Sequence, residues 1–138
     1  MIQFVLDTDT LSLFQRGHPI LVSRVLAVPS TTLAVTVITV EEQLAGWFTL
    51  VRRAKEPPAL ARAYLRLGEA VGLLGQFPIL PYTEGAIHRF DELRAAKLGV
   101  AANDLRIASI VLEHDTILVT RNASDFRRIP GLRIESWA

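Results

Sequence analysis

The chain has 138 residues, 50% of them hydrophobic, and 15 Lys and Arg against 14 Asp and Glu give a formal charge of +1. That length fits one compact domain with a sizeable core, and the composition argues against disorder. The near balance of charge excludes a strongly basic nucleic-acid binder as a reading of net charge, and leaves only local patches. The chain has no cysteine, which excludes a disulfide scaffold, a zinc ribbon, an iron–sulfur centre and a thiol nucleophile together. A reducing, cytoplasmic location is expected. The start, MIQFVLDTDT, has no positive stretch before its apolar run and soon meets Asp7, the reverse of a secretory signal. The apolar run from Leu33 to Val40 is far short of the ~20 residues of a spanning helix, so no membrane partner is expected.

Gln3 to Leu6 is a short apolar run that reads as a buried strand. A helix from Thr10 stops at Gly17, and Pro19 opens another that runs to about Val28. Leu33 to Thr36 is the second strand. Thr39 begins a helix that passes Trp47 and ends near Ala54, and Pro57 and Pro58 break the chain and open the next. In that next helix Leu60, Tyr64, Leu67, Val71 and Leu74 step by 4, 3, 4 and 3, which predicts its buried face. Gly68 and Gly72 lie four apart and predict the close approach of a neighbouring backbone. Ile79 to Pro81 is a third strand, and Thr83 to Leu98 a helix stopped by Gly99. Asn103 or Asp104 caps a helix to about His114, and Ile117 to Thr120 is a strand. Asn122 opens a helical turn through Phe126, and Leu132 to Ser136 forms the last strand. Strands separated by helices predict an α/β fold with a mainly parallel sheet covered on both faces.

Four acidic residues stand where such a fold puts its functional edge, at strand ends or helix starts: Asp7, Glu42, Asp104 and Asp125. Each also has an ordinary structural explanation. Asp7, Thr8 or Asp9 can cap the first helix; Thr39 and Glu42 have capping-box spacing; Asn103 and Asp104 can cap their helix; Asn122 and Asp125 can shape the last turn. The neighbouring Glu41 is an alternative to Glu42. Spacing alone does not separate a metal site from four caps. Electrostatics adds one constraint: two unit charges ~5 Å apart repel by roughly 3 kcal/mol at an effective dielectric of ~20. A converging set of carboxylates therefore needs cations or protons. Hard oxygen donors without thiolates favour Mg²⁺ or Mn²⁺.

The ordered segments FVLDTDTLS, TVITVEEQLAG and ANDLRIASIVLEHDTILVTRNASDFRRIPGLRIESW together resemble the PIN-domain endoribonucleases, and in particular the VapC-type toxins of toxin–antitoxin pairs. The resemblance runs nearly end to end and implies a single PIN domain over residues 1–138, an α/β/α sandwich with a central, mainly parallel sheet. It selects Glu42 over Glu41, with Thr39 and Gly46 as flanks. It implies Asp7, Glu42, Asp104 and Asp125 as catalytic, metal-holding acids, supported by Thr8, Asp9, Thr120 and Asn122. Asp9 is a departure, since the family usually has Asn there. The implied activity is Mg²⁺- or Mn²⁺-dependent hydrolysis of RNA phosphodiester bonds. A VapB-like antitoxin is the implied protein partner, and a homodimer the implied assembly. His18, His88 and His114 are scattered and not needed for this chemistry.

RNA must also be held. Arg52, Arg53, Lys55, Arg62 and Arg66 form one basic stretch, and Arg121, Arg127, Arg128 and Arg133 another. The second adjoins the acidic residues in sequence, so Arg121, Arg127 and Arg128 are the expected phosphate contacts. Two rival readings remain at this stage. Asp7-Thr8-Asp9-Thr10 matches the opening of haloacid-dehalogenase-type phosphatases, but no acidic pair follows a late apolar strand. A PIN-like domain kept only for protein binding would be expected to lose an acid, and all the expected positions are acidic.

Overall fold

The computed structural model describes residues 1–138. In chain order the elements are β1 (Phe4–Leu6), α1 (Thr8–Gln15), α2 (Pro19–Leu26), a single 3-10 turn (Ser30–Thr32), β2 (Leu33–Thr36), α3 (Val37–Arg53), α4 (Pro57–Leu74) and β3 (Ile79–Leu80). They are followed by α5 (Glu84–Ala95), α6 (Ala102–Glu113), β4 (Ile117–Val119), α7 (Ala123–Phe126) and β5 (Arg133–Glu135). The strands form one sheet of order β3-β2-β1-β4-β5. Every adjacent pair is parallel, as crossover helices between strands require.

Side-chain alternation along the strands separates two cores. Val5, Ala34 and Leu118 face one side, where Ala86 and Phe90 of α5 and Leu105, Ile107, Ala108 and Val111 of α6 cover them. Leu6, Val35 and Val119 face the other, against Leu11 and Leu13 of α1, Leu21 and Val25 of α2, and Leu74 at the end of α4. The result is the α/β/α sandwich expected from the sequence. β1 is central, and Val5 and Leu6 are wholly buried.

The predicted face of α4 is buried only in part. Leu60 and Leu67 are half-buried and Leu74 is buried, but Tyr64 is 58% and Val71 53% exposed. Ala63 and Ala70 take the inward positions instead. The helix is apolar on more than one side, and packing against α3 selects the stripe with small residues. The predicted close approach at Gly68 and Gly72 is also absent, because a Cβ built at either would meet only open space.

An all-parallel sheet brings the carboxyl ends of its strands to one edge. Asp7 follows β1, Thr36 ends β2 and Thr120 follows β4, so their side chains collect there. No helix of the structure is long and apolar enough to cross a membrane.

Candidate active site

Asp7 is the first residue beyond β1 and serves two elements at once. Its Oδ1 accepts from the Thr10 N–H at 2.8 Å, which caps α1. Its Oδ2 accepts from the Thr120 hydroxyl at 2.5 Å, across the β1–β4 junction. Asp7 is only 4% exposed. Burial pushes its pKa up, against the lowering effect of bonds from Thr10 and Thr120, and nearby Asp9 raises it further. The capping explanation for Asp7 is therefore correct and does not exclude a second role.

Glu42 does not take part in the capping box suggested by its spacing from Thr39. Thr36, three residues earlier, is the cap, and its hydroxyl accepts from the Thr39 N–H at 3.2 Å. Released from that duty, Glu42 accepts from the Thr8 hydroxyl at 2.7 Å, and Thr8 and Thr39 share a hydroxyl contact of 3.0 Å. A carboxylate of α3 is thereby pinned to α1. Glu41 is exposed on the outer side of the helix.

Asp104 caps nothing. α6 begins after Ala101, which gives no side-chain cap, and Asn103 accepts from Arg106 at 2.7 Å. Asp104 occupies the first turn, half-buried. Its pKa is pushed up to about 6, first by loss of solvent and then by the charges of Asp7, Glu42 and Asp125. Three of the acids named from the sequence thus act on the fourth, Asp104, at one edge of the sheet. Asp125, in α7, accepts from the Asn122 side-chain amide at 3.0 Å and lies 4.0 Å from Arg128. Thr120 completes the frame by accepting from the Asn122 N–H at 2.9 Å while donating to Asp7.

Asp9 is exposed and pairs with Arg121 at 3.4 Å. Arg127 is exposed, and Arg128 also donates to the Gly99 carbonyl at 3.1 Å. Arg133 sits at the start of β5, bonded to Asp115, at the opposite end of the strands. Two histidines have structural duties, since His18 caps α2 and His114 contacts the Ile110 carbonyl. His88 is exposed.

The carboxylates are hard oxygen donors that repel one another, which is the donor chemistry of a Mg²⁺ or Mn²⁺ site. In the conformation described, no three Asp, Glu or His groups are closed to metal-holding distance. Sequence reasoning missed Thr36 as the cap and Ser12 and Gln43 as a bridge from α1 to α3 at 2.9 Å. The Thr-rich run before α3 was the available signal for the first; nothing local signals the second.

A parallel α/β/α sandwich with Asp7, Glu42 and Asp125 gathered near Asp104 at one sheet edge is the architecture of a PIN-type nuclease domain. No family model matches the chain. It is, however, 30% identical to the tRNA(fMet)-specific endonuclease VapC of Salmonella typhimurium over 142 aligned positions, covering 99% of both chains. A further match, to the Ribonuclease VapC2 of Rickettsia felis, is 44% identical over 46 residues, or 33% of this chain. Among solved structures, the DNA-bound VapBC of Salmonella typhimurium superposes with a TM-score of 0.82 at 27% identity, covering 100% of both chains. The VapBC2 complex of Rickettsia felis does so at 0.76 and 26%, also covering 100% of both. The chain belongs to the VapC family.

Proposed function

We propose that the whole chain, residues 1–138, is one PIN domain acting as a metal-dependent endoribonuclease toxin, neutralised by a cognate VapB-like antitoxin. The observation that carries this is the four-carboxylate group at the sheet edge, where loss of solvent and then the charges of Asp7, Glu42 and Asp125 raise Asp104 to about 6. End-to-end similarity to an endonuclease supports it. Asp7, Glu42, Asp104 and Asp125 would hold Mg²⁺ or Mn²⁺. Such an ion, when bound, supplies an activated water and offsets charge on the phosphate under attack. The chain's own task is positioning. Thr120 fixes the Asp7 carboxylate, Thr8 fixes Glu42, and Asn122 fixes Asp125. Asp104 alone has no such fastening, and without a cation its carboxyl is raised to about 6. Arg121, Arg127 and Arg128 are assigned to the RNA backbone, where they position without reading sequence.

The protein is assigned to the cytoplasm and to a homodimer. The apolar side chains left exposed on α3 and α4, among them Phe48, Tyr64, Leu65 and Val71, are the surface offered to protein partners. The decisive experiment is cleavage of a mixed RNA pool by the purified protein in Mg²⁺, in Mn²⁺ and in chelator, beside Asp104→Asn. Cutting at discrete sites, lost in chelator and in the variant, is the expected result. Cutting that persists in both would overturn the assignment.

A further inference from the structure

Beside the acidic edge, between α1, α3 and α4, the surface opens into a cavity of about 640 Å³. Its wall includes Phe14, Arg16, Gln43, Trp47, Arg66 and Glu69, none of which the acid chemistry uses. Asp9 borders both this cavity and a smaller one around Arg121 and Asn122. A strand entering past Arg121 therefore leads into the larger opening.

The cavity is a built feature. Gln43 donates to Ser12 at 2.9 Å and ties α3 to α1, and Phe14 packs edge-on to Phe77 with ring centroids 6.0 Å apart. Trp47 is half-buried, one helical turn past Gln43 and five residues past Glu42. That places it about 7.5 Å along the helix axis from the acid and ~140° around it, on the side of α3 that faces the cavity. Arg16 and Arg66 are exposed and take part in none of the chain's four ion pairs.

We propose that this cavity is a nucleobase subsite of the RNA substrate. It takes an unstacked base of single-stranded RNA next to the phosphodiester that is cut, resting on the proposal that the acidic edge cleaves RNA. Trp47 supplies the stacking face, Arg16 and Arg66 meet the sugar–phosphate chain, and Glu69 accepts from N–H groups on the edge of the base. A nucleotide matches this wall in all its parts, with an aromatic face, an anionic phosphate and donor groups. An apolar peptide segment would take the Arg66 guanidinium and the Glu69 carboxylate out of water, at considerable cost.

The test uses tryptophan fluorescence in chelator, so that binding is read without cleavage. Trp137 is only 3% exposed and packs on Phe4, which leaves Trp47 as the reporter. Single-stranded RNA tetramers are expected to quench it saturably, and an abasic ribose–phosphate tetramer is not. Anisotropy of end-labelled tetramers should show Trp47→Ala binding roughly 5- to 150-fold more weakly, the scale of one stacked base. Trp47→Phe, which keeps a ring, should recover most of that affinity and guards against a folding defect in the first variant. Arg66→Ala should lower the salt dependence of binding by about one charge. Equal quenching by the abasic tetramer, or unchanged affinity and cleavage in Trp47→Ala, would overturn the subsite and leave the ribonuclease standing. Quenching by an antitoxin segment but not by RNA would assign the cavity to the protein partner and equally overturn it. Wild-type protein that cuts no RNA with Mg²⁺ or Mn²⁺ would instead remove the reading on which the subsite rests.

Discussion

The β1–α1 junction and the first turn of α6 each bring a carboxylate to the same edge, and they hold it in opposite ways. Asp7 is built into the fold: it caps α1, receives the Thr120 hydroxyl and is nearly inaccessible. Asp104 caps nothing, and partial burial, with three other acids nearby, lifts its pKa to about 6. The first is kept by the architecture whether or not it has a chemical role. The second is kept against the interest of stability, which is the mark of a group retained for function. A cap and a candidate ligand are thus not competing explanations at Asp7, and only at Asp104 does the distinction become diagnostic.

The largest expected effect removes the contrast. Asp7→Asn and Asp104→Asn should both lower RNA cleavage by ~10²-fold or more, measured as initial rate on one defined RNA. Activity retained by Asp104→Asn would break the pairing at once. Stability should then separate the two. Asp7→Ala leaves the buried Thr10 N–H and Thr120 hydroxyl without an acceptor and should cost about 2 kcal/mol. Thr120→Val removes the bond to Asp7 from the other side and should cost about 1–2 kcal/mol, with the Asp7 pKa rising further in an NMR titration. Asp104→Asn should act in the opposite direction. The raised pKa sets a ceiling of about 3 kcal/mol, and half-exposure to solvent discounts this to ~1 kcal/mol. Metal-free protein should therefore melt ~3 °C higher in Asp104→Asn, and the gain in melting temperature that Mg²⁺ or Mn²⁺ gives the wild type should disappear.

The pH dependence follows in sign. A carboxyl whose folded pKa lies above its unfolded value favours the fold while protonated. Metal-free stability should fall as pH rises from 3.8 to about 6 and then level off, and Asp104→Asn should flatten much of that slope. Asp7, also raised, supplies part of what remains. The smallest effect is expected at Asp9→Asn, because an exposed pair such as Asp9–Arg121 contributes under ~0.5 kcal/mol.

The first four strands were readable because each is a short apolar run closed by a polar residue or a turn, and the observed bounds of all five lie within a residue or two of the expected ones. The four acids were readable as a set because a parallel sheet sends strand ends to one edge. What sequence could not fix was which polar residue caps which helix. Thr36 and Thr39 stand three apart, and either can begin α3 by local rules; the Thr36 hydroxyl at the end of β2, accepting from the Thr39 N–H, decides it. The inward face of α4 was equally undetermined, since Leu, Val, Tyr and Ala surround the helix and only the neighbouring α3 distinguishes them. The cavity at Trp47 depends on three helices meeting, which no window of sequence contains.

The hydrogen bond from Thr120 to Asp7 joins residues 113 positions apart. Synthesis proceeds from the amino end, so Asp7 leaves the ribosome long before its partner exists. The central strand must wait for β4, and Asp125 comes later still. On the proposed reading, a half-made chain carries Asp7 and Glu42 but lacks the frame that aims them. The ribosome that translates this toxin is thereby spared an armed product until Thr120 and Asp125 have been made.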